Sequence, residues 1–260
     1  MTKIAAITSR DNPLLAQLRR LNRHPDAYRK LGIVWLEGEQ LCRAALQRVE
    51  PALVQAVISE VGWEVAGLRR LASATARVAV MPEALMASLS TLETPAPIAL
   101  VLPWPGTGTV RAGTPSIVLD RLQDAGNVGT ILRSAAAFGF RQVIALEGTA
   151  ALWSPKVLRA AMGAHFNLDL VERVALDGLA ALDVPLLATS SHAAALLHGA
   201  SLPWPCAWAM GHEGQGLAAT LMRRCAATLK IAQPGGEESL NVAIAASVCM
   251  YESARQRLLA

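Results

Sequence analysis

Cysteine is scarce and scattered in this chain. Cys42, Cys206, Cys225 and Cys249 are the only four, and no two stand in a CxxC pair. That spacing excludes a zinc ribbon or a disulfide framework and predicts reduced thiols in a cytoplasmic protein. Long apolar runs are also missing. "PIALVLP" and "VAIAASVCMY" fall well short of the ~20 residues that span a bilayer. The opening "MTKIAAITSRDNP" has no long apolar core, so no signal peptide is expected. No His/Cys/Asp cluster has metal-ligand spacing, so no metal is expected. No GxGxxG follows the first strand of either half, and "PGTGTVRAG" falls in a loop, which argues against a dinucleotide enzyme.

What the chain does have is an apolar content of 53%, mostly Ala, Leu and Val. Such a composition builds a packed α/β core and excludes wholesale disorder. A length of 260 residues fits two domains or one large one. The net charge of +4 is unevenly placed. Residues 1–30 hold Lys3, Arg10, Arg19, Arg20, Arg23, Arg29 and Lys30 against only Asp11 and Asp26. A basic first helix of this kind predicts a polyanionic partner, with Arg19, Arg20, Arg23 and Arg29 as phosphate-gripping candidates. Tyr28 and His24, set among these charges, are candidates for stacking on bases. The alternative is a solvated helix face.

Strand and helix signals alternate in both halves. "GIVWLEG", "LVQAVIS", "ARVAV" and "PIALVLP" read as strands between helices. This predicts a small α/β domain over 1–102. Residues 103–115, "PWPGTGTVRAGTP", read as a flexible linker. In 116–260 the strands "SIVLD", "QVIAL", "VPLLATS", "CAWAMG" and "ATLKIA" are unalternating and apolar. That pattern predicts a parallel sheet covered by helices on both faces. Ligands in such sheets bind beyond the carboxyl ends of the strands. Three polar, glycine-rich loops fall at those ends: "DRLQDAGN", "GHEGQG" and "QPGGEESLN".

The third loop leads directly into an apolar helix. Gly235 and Gly236 permit a sharp turn, and Ser239 or Glu238 is expected at the helix start with Asn241 in its first turn. A polar helix start has free N–H groups and a positive dipole end that suit a ligand. The alternative is an ordinary capped core helix.

In order and spacing, the three loops resemble the motifs of the SpoU (TrmH-like) branch of the SPOUT RNA methyltransferases. "LDRLQDAGNVGTILRSAAAFG" is similar to the first motif, "WAMGHEGQGL" to the second and "LKIAQPGGEESLNVAIAASVCMYE" to the third. The segment "SPKVLRAAMGAHFNLDL" resembles the stretch between the first two, and "VWLEGEQLCRAAL" resembles the accessory substrate-binding domain of the family. The resemblance implies a carboxyl-terminal trefoil knot, a fold feature otherwise almost absent from proteins. The loops Met210–Gly216 and Gln233–Asn241 would form it. It also implies S-adenosylmethionine as cofactor, a homodimer, and methyl transfer to a ribose 2′-hydroxyl of RNA, with rRNA favoured over tRNA.

By the same resemblance, Arg133 is the catalytic arginine. It holds an RNA phosphate and stabilises developing oxyanion character, because an arginine keeps its proton in proteins. Taken alone it would be a surface arginine. Asn127 caps its helix, stands by the reacting ribose, or does both. Ser239 and Asn241 orient nucleotide or cofactor, and Glu213 bonds backbone groups of its loop; taken alone, a carboxylate after glycine is equally a helix-start residue. Gly211, Ile231 and Leu240 are expected to hold the adenosine part, with Thr189 a further cofactor contact. Four positions depart from the family pattern. Ala125 and Ala232 replace prolines, His212 an asparagine and Ala161 a serine, which bears on substrate identity and loop rigidity. His212 can still donate and accept hydrogen bonds. The rival function is a non-catalytic RNA-binding or ribosome-assembly protein that keeps the knot.

Overall fold

The computed structural model of the chain describes residues 2–236 and 239–259. They form two compact units. One runs up to Gly106 and takes in Trp153–Phe166; the other comprises Thr107–Leu152 and the chain from Asn167 onward. The stretch 153–166, expected in the carboxyl-terminal domain, therefore clusters with the first unit.

In chain order the first unit holds β1 (Lys3–Ala6), α1 (Pro13–Arg23), α2 (Tyr28–Leu31), β2 (Ile33–Glu37), α3 (Glu39–Leu46), β3 (Gln55–Ser59), α4 (Glu60–Glu64), α5 (Ala66–Ser73), β4 (Arg77–Met81), α6 (Glu83–Ala87) and β5 (Ile98–Pro103). The second begins with β6 (Ser116–Leu119), α7 (Ala125–Ala137) and β7 (Gln142–Leu146). Helix α8 (Pro155–Ala161) lies in the stretch that joins the first unit. The second then continues with β8 (Asp169–Val174), β9 (Leu186–Thr189), β10 (Ala207–Met210), α9 (Ala219–Met222), β11 (Ala227–Leu229) and α10 (Val242–Leu259).

The first sheet runs β1-β4-β3-β5-β2. Strand β4 is parallel to β1 and β3, whereas β5 is antiparallel to β3 and β2. Helix α1 starts where Asn12 caps it, accepting from the Leu14 N–H at 2.9 Å, with Pro13 opening its first turn. It is amphipathic and buries Leu15, Leu18 and Leu21 while Arg20 and Arg23 stay exposed. Residues 3–30 are thus woven into this unit through β1, α1 and α2 and are not a free arm. Two candidates change meaning. Tyr28 is only 1% exposed, edge-on to the Trp104 ring at 5.3 Å, with the Arg29 guanidinium 5.2 Å from its centre. A ring so enclosed is a core residue and cannot receive a base. Arg19 is tied down locally, donating to the Arg10 carbonyl at 2.9 Å and the Ser88 hydroxyl at 3.3 Å.

The expected linker is likewise structured. Pro103 closes β5, and the Trp104 N–H donates to the Gly32 carbonyl at 2.8 Å. Further on, the N–H groups of Gly108, Arg111 and Gly113 donate to Leu170 O, Gln142 Oε1 and Leu182 O at 3.1, 2.8 and 2.9 Å. Side-chain-poor composition suggested freedom, but backbone bonds hold the segment.

In the second unit the order is β11-β9-β10-β6-β7-β8, and every adjacent pair is parallel. Strands β6, β7 and β10 are buried along their whole length, as their unalternating sequences predict. The first strand in sequence, β6, lies inside the sheet, with later strands added on both sides. The direction of winding therefore reverses between β6 and β10, which is where an open parallel sheet leaves a crevice. Helix α10 packs on α7 through the Ser134 and Ser247 hydroxyls at 2.7 Å and an edge-on contact of Phe138 with Tyr251 at 5.8 Å. It meets β10 where Trp208 Nε1 donates to Ser253 Oγ at 3.0 Å. Among the described residues, no helix is long and apolar enough to cross a membrane.

Candidate active site at the strand ends

A cavity of about 510 Å³ opens where β9, β10 and β11 end. Its apolar wall includes Met210, Leu217, Ile231, Leu240 and Val242; its polar groups include Thr189, Ser190, Gln233, Ser239 and Asn241. That size and mixture suit a small organic ligand with a few fixed polar groups, for which about 300–1,000 Å³ is typical.

The loops around it are joined by a chain of hydrogen bonds. Asp124 caps α7, its Oδ1 accepting from the Asn127 N–H at 2.8 Å. Asn127 is therefore not the cap, and its side chain is free for other work. Glu213 is the hub: Oε1 accepts from Asp124 N at 3.0 Å and Asn127 Nδ2 at 3.3 Å, and Oε2 from Gln123 N at 3.2 Å. Desolvation pushes the Glu213 carboxyl up. The donors from Asp124, its own backbone, Gln123 and Asn127 outweigh that and hold it below the ordinary glutamate value. Asn127 Oδ1 in turn accepts from Asn241 Nδ2 at 3.0 Å. Asn241 Oδ1 accepts from the N–H groups of Ala243 and Ile244 at 2.9 and 3.3 Å. Asn241 thus caps α10, two residues beyond Ser239 and three beyond Glu238, the expected starts; Glu238 lies outside the described residues.

The second loop is a tight closure. His212 and Gly216 exchange backbone bonds at 3.1 and 2.8 Å, and His212 Nδ1 accepts from Gly214 N at 3.1 Å. Gly211 is obligatory here. A Cβ on it would stand 2.2 Å from the Gly216 carbonyl carbon and 2.3 Å from Leu217 N, far inside contact distance. Behind the loop, the buried Asp120 accepts from Ala218 N at 2.7 Å and from Arg121 Nε at 2.9 Å.

Seven expected site residues line the cavity: Thr189, Gly211, Glu213, Ile231, Ser239, Leu240 and Asn241. Asn127 joins them through its bonds. Arg133 does not: it is exposed on α7, and its guanidinium makes no hydrogen bond or ion pair with another described residue. Arg19, Arg20, Arg23 and Arg29 belong to the first unit. Sequence reasoning missed Asp120 and Gln233. A carboxylate directly after an all-apolar strand is a usable signal for the first. The amide oxygen of Gln233, in the cavity lining, is buried without a partner among the described residues, which no sequence pattern reveals. An orphaned acceptor, apolar walls and a glycine-tight loop together fit a nucleoside-bearing ligand. Among the described residues, no group of three or more His, Cys, Asp or Glu side chains could hold a metal ion.

The profile of the SpoU rRNA methylase family matches residues 115–251. The chain is 33% identical to an uncharacterized tRNA/rRNA methyltransferase of Synechocystis sp., over 98% of this chain and 95% of that one. It is 34% identical to the 23S rRNA (guanosine-2′-O)-methyltransferase RlmP of Bacillus subtilis, over 66% of this chain and 70% of that one. Its fold is similar to the crystal structure of the SpoU methyltransferase AviRb from Streptomyces viridochromogenes in complex with AdoMet. There the TM-score is 0.83 at 25% identity, covering 95% of this chain and 98% of that one.

Proposed function

The chain belongs to the SpoU rRNA methylase family, and from that premise we propose that it methylates a ribose 2′-hydroxyl in RNA with S-adenosylmethionine as donor. The observation that carries the reading is the bond chain from Glu213 through Asn127 to Asn241 beside a nucleoside-sized cavity. When bound, S-adenosylmethionine supplies an electrophilic methyl group on a sulfonium. Ile231, Leu240 and the loop after Gly211 would hold its adenosine part, and Thr189 lies within the same cavity.

The residues here position more than they react, which is what an in-line displacement asks of a protein. Glu213 fixes the Asn127 amide, and Asn127 and Asn241 fix one another, so the side chains that would face the ribose are pre-set. Ser239 would orient the target nucleotide from the same rim. Arg133 holds an RNA phosphate and stabilises negative charge growing on the ribose oxygen; its guanidinium does not take the proton, which passes to that phosphate.

Arg133 stands off the cavity of its own chain, which we read as a sign that it serves the cavity of a second copy. Ile244, Tyr251 and Leu258, spaced by sevens along α10, are 55%, 55% and 86% exposed. Ile244 and Tyr251, with Phe138 and Val248, border an apolar groove between α7 and α10. A homodimer built on this face would cover the stripe and bring Arg133 to the partner's site. Arg20 and Arg23 would hold RNA phosphates from the first unit, with rRNA favoured over tRNA and the cytoplasm as the place of action. The loops at Met210–Gly216 and Gln233–Asn241 would form the trefoil knot of the family.

Ribose-methylation mapping of total RNA from cells with and without the protein tests this reading. One position, in rRNA, should lose its 2′-O-methyl group when the protein is absent. Identical maps would contradict it.

A further inference from the structure

Gln233 presents the cavity with a problem that the chain itself does not solve. Its amide oxygen is buried and has no hydrogen-bond partner among the described residues. Buried polar atoms in folded proteins are nearly always paired, and of the orphaned atoms among the described residues the Gln233 oxygen is the one in the wall of this cavity, where a ligand donor can reach it. The backbone beneath it is fixed. Gly236, at φ +82°, closes a turn by donating its N–H to the Gln233 carbonyl at 3.2 Å. The main-chain acceptor of Gln233 is therefore used, and the side-chain acceptor is not. Polar neighbours in the lining have local partners: Ser190 Oγ accepts from His192 N at 3.2 Å, and Asn241 Oδ1 caps α10. Ile231 and Leu240, in the same wall, offer apolar surface for a flat ring.

We infer that Gln233 is a specificity-determining residue for the methyl donor: its amide oxygen accepts a hydrogen bond from an N–H or O–H of the donor's nucleoside. This rests on the reading of the cavity as the S-adenosylmethionine site. The group read is the exocyclic amine of adenine or a ribose hydroxyl. Either is a donor that an acceptor oxygen can select. A ligand offering a carbonyl at that point would set two acceptors against each other and be rejected.

The test is calorimetric titration of the full chain with S-adenosylhomocysteine and three analogues. In one the 6-amine of the base is replaced by a carbonyl; in the others the 2′- or the 3′-hydroxyl is removed. Wild type, Gln233→Met and Gln233→Glu are compared. Methionine keeps similar bulk with only a weak thioether acceptor, and glutamate keeps the oxygen acceptor. Gln233→Met should bind S-adenosylhomocysteine about tenfold more weakly, the loss expected when a buried donor is left unpaired. Gln233→Glu should stay closer to wild type. Wild type should bind one of the three analogues about tenfold more weakly, whereas Gln233→Met should bind that analogue and the parent equally. The analogue that does so identifies the group being read. Two results overturn the inference and leave the cavity reading intact: Gln233→Met binding as tightly as wild type, or wild type binding all four ligands alike. The second needs no variant to fold. A wild-type protein that binds none of them overturns both.

Discussion

Asn241 and Asn127 stand 114 positions apart in sequence, and the Nδ2 of the first donates to the Oδ1 of the second at 3.0 Å. One residue caps the last helix, and the other lies in the first turn of α7 with its second amide end on Glu213. Helix starts carry unpaired N–H groups and a positive dipole end. Joining two of them through one amide pair makes a polar rim whose geometry neither helix could set alone.

Asn241→Asp separates the two tasks of that residue. Aspartate keeps the capping oxygen and suits a helix start, but it loses the N–H that reaches Asn127. Denaturant unfolding should show little change, while methyl transfer should fall at least tenfold. Asn241→Ala loses the cap as well and should cost about 1 kcal/mol of stability in addition. Native transfer rates in Asn241→Asp would remove the contact from the mechanism.

Glu213 gives the site a pH signature. Its carboxyl is held below the ordinary glutamate value by the donors around it. A depressed folded-state value means stability that is fully present above the unfolded value and lost as pH falls through the folded one. Acid titration of the melting temperature should therefore drop more steeply below pH ~4.3, the ordinary glutamate value, in wild type than in Glu213→Gln. Parallel curves would show that the carboxylate contributes no linked stability.

Arg133→Ala should nearly abolish transfer and leave the affinity for S-adenosylhomocysteine unchanged, because Arg133 does not line the cavity. Arg133→Lys should rescue poorly, since an ammonium lacks the planar fork that grips phosphate and oxyanion together. A variant that loses ligand affinity in step with activity would place the arginine in the binding wall instead.

The limits of sequence reading here have physical causes. Strands β6, β7, β9 and β10 were legible because strands buried on both faces read as apolar runs. Strands β1 and β8 were not. β1 is an edge strand with all four residues exposed, and β8 is an edge strand whose charged Asp169, Glu172 and Arg173 break the run. Tyr28 was misjudged because basic neighbours imply solvent, and only the fold encloses its ring. The backbone extends at Val65 and separates α4 from α5, a break that the unbroken run "WEVAGLRRLA" does not announce. Most cavity residues were legible through motif order. The identity of Asn241 as a cap and the orphaned oxygen of Gln233 depend on hydrogen-bond geometry, which no residue order encodes.

The exposed stripe on α10 predicts the quaternary state. Light scattering should report roughly twice the 27.5 kDa chain mass. Ile244→Glu with Tyr251→Glu places two charges on the covered face, a desolvation cost that a stable interface cannot absorb. The double variant should be a folded monomer with little transfer activity. Full activity in a clean monomer would show that Arg133 does not work across a dimer.

The most direct test is the product itself. Purified protein is incubated with S-adenosylmethionine and RNA transcribed without modifications, including 23S rRNA, and the RNA is digested to nucleosides for mass spectrometry. The methyl group should appear on a ribose 2′-oxygen, at one nucleotide, and not in the Arg133→Ala sample. Methylation of a base, or no methylated nucleoside from a protein that binds the donor, would contradict the account.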